Sequence, residues 1–327
     1  MIVGYKLDKI IKRGLLMKIA ILDAITFGDT SLEGFNQFGD VTIYKKTSPA
    51  ETLNRVKEAD IIVTNKVIIS KEIMIQSNSL KLICIAATGM NNVDLEAAKE
   101  LQIDVKNVAG YSTASVVQHT FAMAFYLLEH SKYYDEKVKT KAYSKSQIFT
   151  DVSKPFYEIK DKKWGIIGLG EIGRNVAKVA SAFGSEVLYY STSKKNNNKD
   201  YTRVELDELL KECNIISIHA PLNENTKNLL NYKELDMCKD KAIVLNLGRG
   251  GIINEEAVAK IVDKKDIYIG LDVFEKEPLS QESPLFTVTN KDRLHLTPHI
   301  AWTSKEAREK LIDGIIKNIK QFLKDVK

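Results

Sequence analysis

Three side chains in the C-terminal part of the chain have the types that hydride transfer to an anionic carbonyl compound requires. Arg249 lies in Asn246-Leu247-Gly248-Arg249-Gly250-Gly251, just after an apolar run. Its small neighbours leave a planar guanidinium room to grip a carboxylate or carbonyl at two points. His299, in Leu296-Thr297-Pro298-His299-Ile300-Ala301-Trp302, can deliver or accept the proton that accompanies hydride transfer near neutral pH. Glu277, in Asp272-Val273-Phe274-Glu275-Lys276-Glu277-Pro278, can hydrogen-bond that imidazole, fix its tautomer and favour its charged form. A surface-loop arginine and a structural histidine are the plain alternatives, and spacing alone does not show that the three meet.

A hydride needs a carrier. The run Gly168-Leu169-Gly170-Glu171-Ile172-Gly173 follows the apolar stretch Lys163-Trp164-Gly165-Ile166-Ile167 and opens onto a helical pattern. In that strand–turn–helix context the first glycine makes the tight turn and the second admits a pyrophosphate. The third lets helix and strand pack closely, with the phosphates at the helix N-terminus. About twenty positions further on, an acid would select the ribose hydroxyls of NAD. Ser191-Thr192-Ser193-Lys194-Lys195 stands there instead, so both NAD and NADP are open, and the two lysines read equally as a solvated loop.

The elements needed to position these residues are legible as alternating strands and helices. Apolar runs fall at 18–24, 41–45, 61–65, 82–87 and 104–109, with helical segments at Pro49 to Ala59 and Asp94 to Leu101. Ser48, Pro49 and Glu51 form a capping-box start. A long apolar helix is expected from about Val116 to Ser131, and six further strands near 163–168, 186–191, 215–219, 242–247, 268–273 and 294–297. This is an α/β pattern with parallel sheets, and six strands after one glycine fingerprint is the dinucleotide-binding count. A final helix, Lys305 to Lys324, starts with Thr303 and Glu306 in capping-box spacing and is expected to pack back on the first domain. The expected division is 17–114 with 299–327 for a substrate-binding domain and 115–298 for the nucleotide-binding one. Residues 1–16 read as an extension, either a start assigned upstream of Met17 or a short basic helix from Tyr5 to Leu16.

With 327 residues, 44% hydrophobic and 28% charged, the chain has the size and composition of two globular domains. No apolar run reaches the ~18 residues of a membrane span, and no signal peptide is visible, so a cytoplasmic protein is expected. Cys84, Cys213 and Cys238 are too few and too scattered for a disulfide framework or a zinc site, and no metal is expected. The net charge of +5 is spread along the chain, which argues against nucleic acid and suits a small anionic substrate.

The glycine fingerprint, the Arg-Gly-Gly turn, the Asp-Val-Phe-x-x-Glu-Pro run and the Thr-Pro-His-Ile-Ala run, in this order, resemble the D-isomer specific 2-hydroxyacid dehydrogenases. The resemblance extends from about Met17 to the C-terminus. It implies a Rossmann-type nucleotide domain beside a flavodoxin-like substrate domain, with Arg249, Glu277 and His299 as the catalytic set. It implies a substrate-carboxylate turn at Thr88, Gly89 and Met90. It also implies cofactor contacts from His219, Ala220 and Pro221, from Leu247 and Gly248, and from Asp272, beside Gly168, Gly170, Glu171, Ile172, Gly173 and Ser191. Ala86-Ala87-Thr88-Gly89-Met90-Asn91-Asn92-Val93-Asp94, Gly110-Tyr111-Ser112-Thr113 with Val117-Gln118-His119-Thr120-Phe121, and His299-Ile300-Ala301-Trp302 are similar to glycerate dehydrogenases, also called hydroxypyruvate reductases. Hydroxypyruvate is thus the expected substrate and glyoxylate the second. A D-lactate or broad 2-oxo acid reductase is the alternative enzyme, and a non-enzymatic NAD-sensing protein the alternative class. The resemblance also implies a homodimer formed through about Val116 to Phe156. Phe121, Phe125, Tyr126, Leu127 and Leu128 are more apolar there than one core face needs.

Overall fold

Runs such as Ile61-Ile62-Val63-Thr64 and Leu82-Ile83-Cys84-Ile85 carry no polar alternation and are buried throughout, as strands covered on both faces must be. The computed structural model describes residues 16–325 and divides into two units, Met1–Ser112 with Ser304–Lys327, and Thr113–Thr303. The proposed extension over 1–16 lies, but for Leu16, outside the described residues.

The first unit holds five parallel strands, β1 (Met17–Ile21), β2 (Gly39–Ile43), β3 (Ile61–Thr64), β4 (Leu82–Ile85) and β5 (Asp104–Lys106), in the order β2-β1-β3-β4-β5. This is the flavodoxin-like order. Helices α1 (Pro49–Val56), α2 (Lys71–Ile75) and α3 (Leu95–Glu100) lie between strands. At the start of α1 the Ser48 amide donates to Glu51 Oε2 at 2.9 Å, completing the expected capping box. Beyond β1 the buried Asp23 accepts from the amides of Asn65 (2.9 Å) and Lys66 (2.6 Å), which follow β3. It staples together the carboxyl ends of the two strands.

The second unit carries seven parallel strands: β6 (Lys163–Ile167), β7 (Glu186–Tyr190), β8 (Thr202–Arg203), β9 (Ile215–Ile218), β10 (Ile243–Asn246), β11 (Tyr268–Leu271) and β12 (Leu294–Leu296). Their order is β12-β11-β10-β9-β6-β7-β8. The two-residue edge strand β8 is the one the sequence pattern does not reveal, being too short to show a period. The order reverses between β6 and β9, and a ligand is expected at the carboxyl ends of those two strands.

Helix α4 (Thr113–Leu128) starts and ends three residues before the expected span. His130, at φ 51° in the left-handed region, separates it from an unanticipated helix, α5 (Ser131–Lys139), which buries no residue. Phe121, Leu127 and Leu128 are buried in the unit's own core, and Phe125 and Tyr126 pack against it. The apolar excess of this helix is therefore consumed within the unit. Helices α6 (Glu171–Ala182), α7 (Leu206–Glu212), α8 (Tyr232–Met237) and α9 (Glu255–Lys264) complete it.

The last helix, α10 (Lys305–Asp325), belongs to the first unit and buries Leu311, Ile315, Ile319 and Phe322. It starts at Lys305 as expected, but Ser304 rather than Thr303 caps it. Ser304 Oγ accepts from the Ala307 amide at 3.2 Å, while the Thr303 hydroxyl donates to the Ile300 carbonyl at 2.8 Å. The units divide after Ser112 and Thr303 rather than at 114 and 298, so His299 stays with the seven-stranded sheet. Among the described residues no helix is long and apolar enough to cross a membrane, and no cluster of potential metal ligands is present.

Candidate active site

Strands β10, β11 and β12 are neighbours, so the three loops at their carboxyl ends lie side by side. These are the loops of Arg249, Glu277 and His299. His299 Nδ1 and Glu277 Oε2 are 2.7 Å apart, and the other carboxylate oxygen accepts from the Phe274 amide at 3.1 Å. The acid is held by its own loop and in turn orients the imidazole, leaving Nε2 for chemistry. Arg249 is exposed, with its guanidinium donating to the Gly248 carbonyl at 2.8 Å. The Arg249 turn abuts the acid's loop through backbone. A Cβ on Gly250 would stand 1.8 Å from the Phe274 carbonyl oxygen, so only glycine permits that approach.

His299 itself has φ 53°, a left-handed conformation that a β-carbon disfavours. The surrounding contacts over-determine it. Asp272, 1% exposed, accepts at Oδ1 from the Thr297 hydroxyl (2.6 Å) and the Ile300 amide (2.9 Å), and at Oδ2 from the Ala301 amide (3.0 Å). Burial pushes the Asp272 carboxyl up. Hydrogen bonds from His119, Thr297 and the Ala301 and Ile300 amides more than offset this and bring it below the ordinary carboxylate value. Sequence reasoning gives Asp272 to the cofactor; in the structure its oxygens are taken up by the loop that carries His299. His119 and Thr297 escaped notice as site residues, because a histidine inside an apolar helical run reads as core.

At the switch point between β6 and β9 lies a cleft of about 320 Å³ whose lining includes Gly168, Gly170, Ser191, Thr192, His219 and Pro221. A Cβ on Gly168 (φ 93°) would come within 2.9 Å of the Ala220 backbone, and one on Gly173 within 2.3 Å of the Gly168 oxygen. Both glycines are required by the protein's own packing. A Cβ on Gly170, by contrast, would meet nothing within 4 Å. The protein's own packing does not require a glycine there. Both ring nitrogens of His219 are out of water without a protein partner, and burial lowers its pKa to about 3. A bare glycine at a helix N-terminus and an unpartnered neutral imidazole across the cleft fit a dinucleotide.

Glu171 and Ile172 open α6, and Glu171 Oε1 accepts from the Thr113 hydroxyl at 2.7 Å. Leu247 and Gly248 follow β10, and a Cβ on Gly248 would stand 2.6 Å from the Ala220 oxygen. Ser191 is buried and its Oγ accepts from the Asn196 amide at 3.3 Å, whereas Lys194 and Lys195 are exposed and do not line the cleft. A hollow of about 350 Å³ beside the Tyr126–His295 stack holds none of the residues singled out for chemistry. In the first unit, Thr88, Gly89 and Met90 follow β4, in a loop tied by Asn107 Nδ2 donating to the Thr88 carbonyl at 2.6 Å.

Residues 121–301 match the D-isomer specific 2-hydroxyacid dehydrogenase NAD-binding domain. The chain is 34% identical to a hydroxypyruvate reductase of Blautia hydrogenotrophica, over 94% of this chain and 97% of that protein. It is 32% identical to a glycerate dehydrogenase of Methylorubrum extorquens, over 94% and 96%. Among solved structures, an acyclic imino acid reductase in complex with NADPH and D-Arg superposes with a TM-score of 0.82 at 31% identity, over 94% of this chain and 98% of that one. The chain belongs to the D-isomer specific 2-hydroxyacid dehydrogenases, a family of NAD-binding oxidoreductases.

Proposed function

We propose that the protein reduces hydroxypyruvate to D-glycerate, with glyoxylate as a second substrate. The observation that carries this reading is the 2.7 Å pairing of His299 with Glu277 at a strand end beside the Arg249 turn. The names of the relatives support the choice of substrate. When bound, the reduced nicotinamide supplies the hydride that C2 of the 2-oxo acid receives.

Every other task falls to side chains and amides of this chain. Arg249 grips the carboxylate and carbonyl oxygen at two points. His299 Nε2 delivers the proton to the carbonyl oxygen, and Glu277 stabilises the charged imidazole that must lose it. Thr88, Gly89 and Met90 carry the backbone donors for the substrate carboxylate. Gly168, Gly170, Glu171, Ile172 and Gly173 hold the dinucleotide phosphates at the α6 N-terminus. Ser191 reaches the adenosine ribose, and His219 to Pro221, Leu247, Gly248 and Asp272 lie toward the nicotinamide half. With no acid after β7, NADP is accepted as well as NAD.

The active form in this reading is a cytoplasmic homodimer. Val138, Ile148, Phe149, Val152 and Phe156 are exposed, Phe149 at 90%, which is a large apolar surface for one segment. Three buried, unpaired thiols suit a reducing compartment. A steady-state panel crossing hydroxypyruvate, glyoxylate, pyruvate and 3-phosphohydroxypyruvate with NADH and NADPH tests the substrate. Hydroxypyruvate should have the highest kcat/KM; a tenfold preference for pyruvate or the phosphorylated acid overturns it.

A further inference from the structure

The loop that presents His299 is held from behind by one face of α4. Ser115 Oγ donates to the Ala301 carbonyl at 2.6 Å, and one turn later His119 Nε2 lies 3.1 Å from Thr297 Oγ1 and 3.4 Å from Asp272 Oδ1. The hydrogens in this cluster are determined by its partners. Thr297 has one hydroxyl hydrogen and gives it to Asp272 Oδ1 at 2.6 Å. Toward His119 the hydroxyl oxygen can therefore only accept, so His119 Nε2 carries a hydrogen and donates it. The resulting chain runs from His119 to Thr297 to Asp272, and from Asp272 to the amides of Ile300 and Ala301, the two residues after His299.

We propose that His119 is a positioning residue for the reaction: its Nε2–H holds Thr297, which with Asp272 fixes the loop that carries His299 in its left-handed conformation. The need for such a device follows from the backbone. A non-glycine residue at φ 53° persists only where its surroundings over-determine it. Glu277 fixes one ring nitrogen but leaves the ring free to move with its backbone, and an ångström-scale displacement of a proton donor is enough to cost ~100-fold in rate. His119 acts through Thr297 and Asp272, so its loss should slow the chemical step far more than it weakens cofactor binding. The inference rests on the reading of His299 as the proton donor.

The test compares His119→Leu, His119→Gln and His299→Ala in the full-length protein. Gln reaches the same point with an amide N–H, whereas Leu fills the space without a donor. For each variant, kcat and KM with hydroxypyruvate, the NADH dissociation constant by fluorescence, and amide hydrogen exchange of the peptide covering residues 297–303 are measured. His119→Leu should lower kcat roughly tenfold, leave the NADH constant within about threefold, and speed exchange at Ile300 and Ala301 about tenfold; His119→Gln should restore most of both. Parent-like kcat and exchange in His119→Leu overturn the proposal. So does a folded His119→Gln that behaves like His119→Leu, since packing rather than the donated hydrogen would then matter. Slower turnover with parent-like exchange also overturns it, because His119 would then act elsewhere. Near-normal turnover in His299→Ala refutes the proton-donor reading instead, and the exchange data still decide whether His119 holds the loop.

Discussion

Replacing Gly170 by alanine separates a glycine required by a ligand from one required by the fold. Its backbone, at φ −76° and ψ −158°, is open to alanine, and the added methyl meets nothing within 4 Å. Lower chain entropy in the unfolded state favours the variant by ~0.4–1 kcal/mol. Alanine is the poorer N-cap by a similar amount. The two effects offset, and the cofactor-free protein should melt within ~2–4 °C of the parent. Gly173→Ala is the contrast. Its methyl would stand 2.3 Å from the Gly168 oxygen, about 1 Å inside contact distance, and overpacking of that kind costs ~1–3 kcal/mol. In a unit the size of Thr113–Thr303 this lowers Tm by ~2–12 °C. On NADH the order reverses. A methyl in the phosphate cradle removes at least one charge-assisted amide bond worth ~1.5–3 kcal/mol, so Gly170→Ala should bind NADH ~10–150-fold more weakly. Thermal melting without cofactor and fluorescence titration with NADH decide the matter. The reasoning fails if Gly170→Ala binds NADH within threefold of the parent, or melts as low as Gly173→Ala.

Four other outcomes are expected. His299→Ala should cut hydroxypyruvate reduction by ~10²–10⁴, the usual worth of general acid catalysis; turnover near the parent's would remove the histidine from the mechanism. Arg249→Lys should lose most activity although the charge is kept, because an ammonium lacks the two-point fork; unchanged kcat and KM would make Arg249 a loop residue only. Ser191→Asp should shift the kcat/KM ratio of NADPH to NADH toward NADH, since a carboxylate repels a 2′-phosphate while accepting from ribose hydroxyls; an unaltered ratio would place Ser191 outside the ribose pocket. The folded-state pKa of His219, about 3, lies below its ordinary value of 6.5. The cofactor-free protein should therefore lose stability as pH falls from about 6.5 toward 3, by up to ~1.4 kcal/mol per pH unit from this group. Urea unfolding of His219→Asn should show a shallower loss over that window, and equal slopes would contradict the burial argument.

The glycine fingerprint was readable because strand, turn and helix are contiguous, so Gly168, Gly170 and Gly173 declare their context within six residues. The convergence of Arg249, Glu277 and His299 was not. It depends on β10, β11 and β12 being adjacent, and strand order is set by long-range pairing that local patterns do not encode. Strand β8 leaves no trace in the sequence because two residues carry no period, and α5 leaves none because its residues bury nothing. The end of α4 is hidden in the sequence because nothing in Glu129-His130 announces a left-handed residue, a conformation usually left to glycine or asparagine. His119 shows the opposite limit. Its partners Thr297 and Asp272 lie more than 150 residues away, so only the fold reveals what its ring donates to.

Asp23 has a consequence for the five-stranded unit. In a sheet of order β2-β1-β3-β4-β5 the crevice between the ends of β1 and β3 is where a phosphate-bearing ligand would ordinarily settle. Here the amides of Asn65 and Lys66, the donors such an anion would seek, already face a carboxylate built into the chain. The unit thus supplies the acceptor for these amides from its own chain. A phosphate arriving at that switch point would have to displace the Asp23 carboxylate from both amides, a competitor that the glycine turn after β6 does not present.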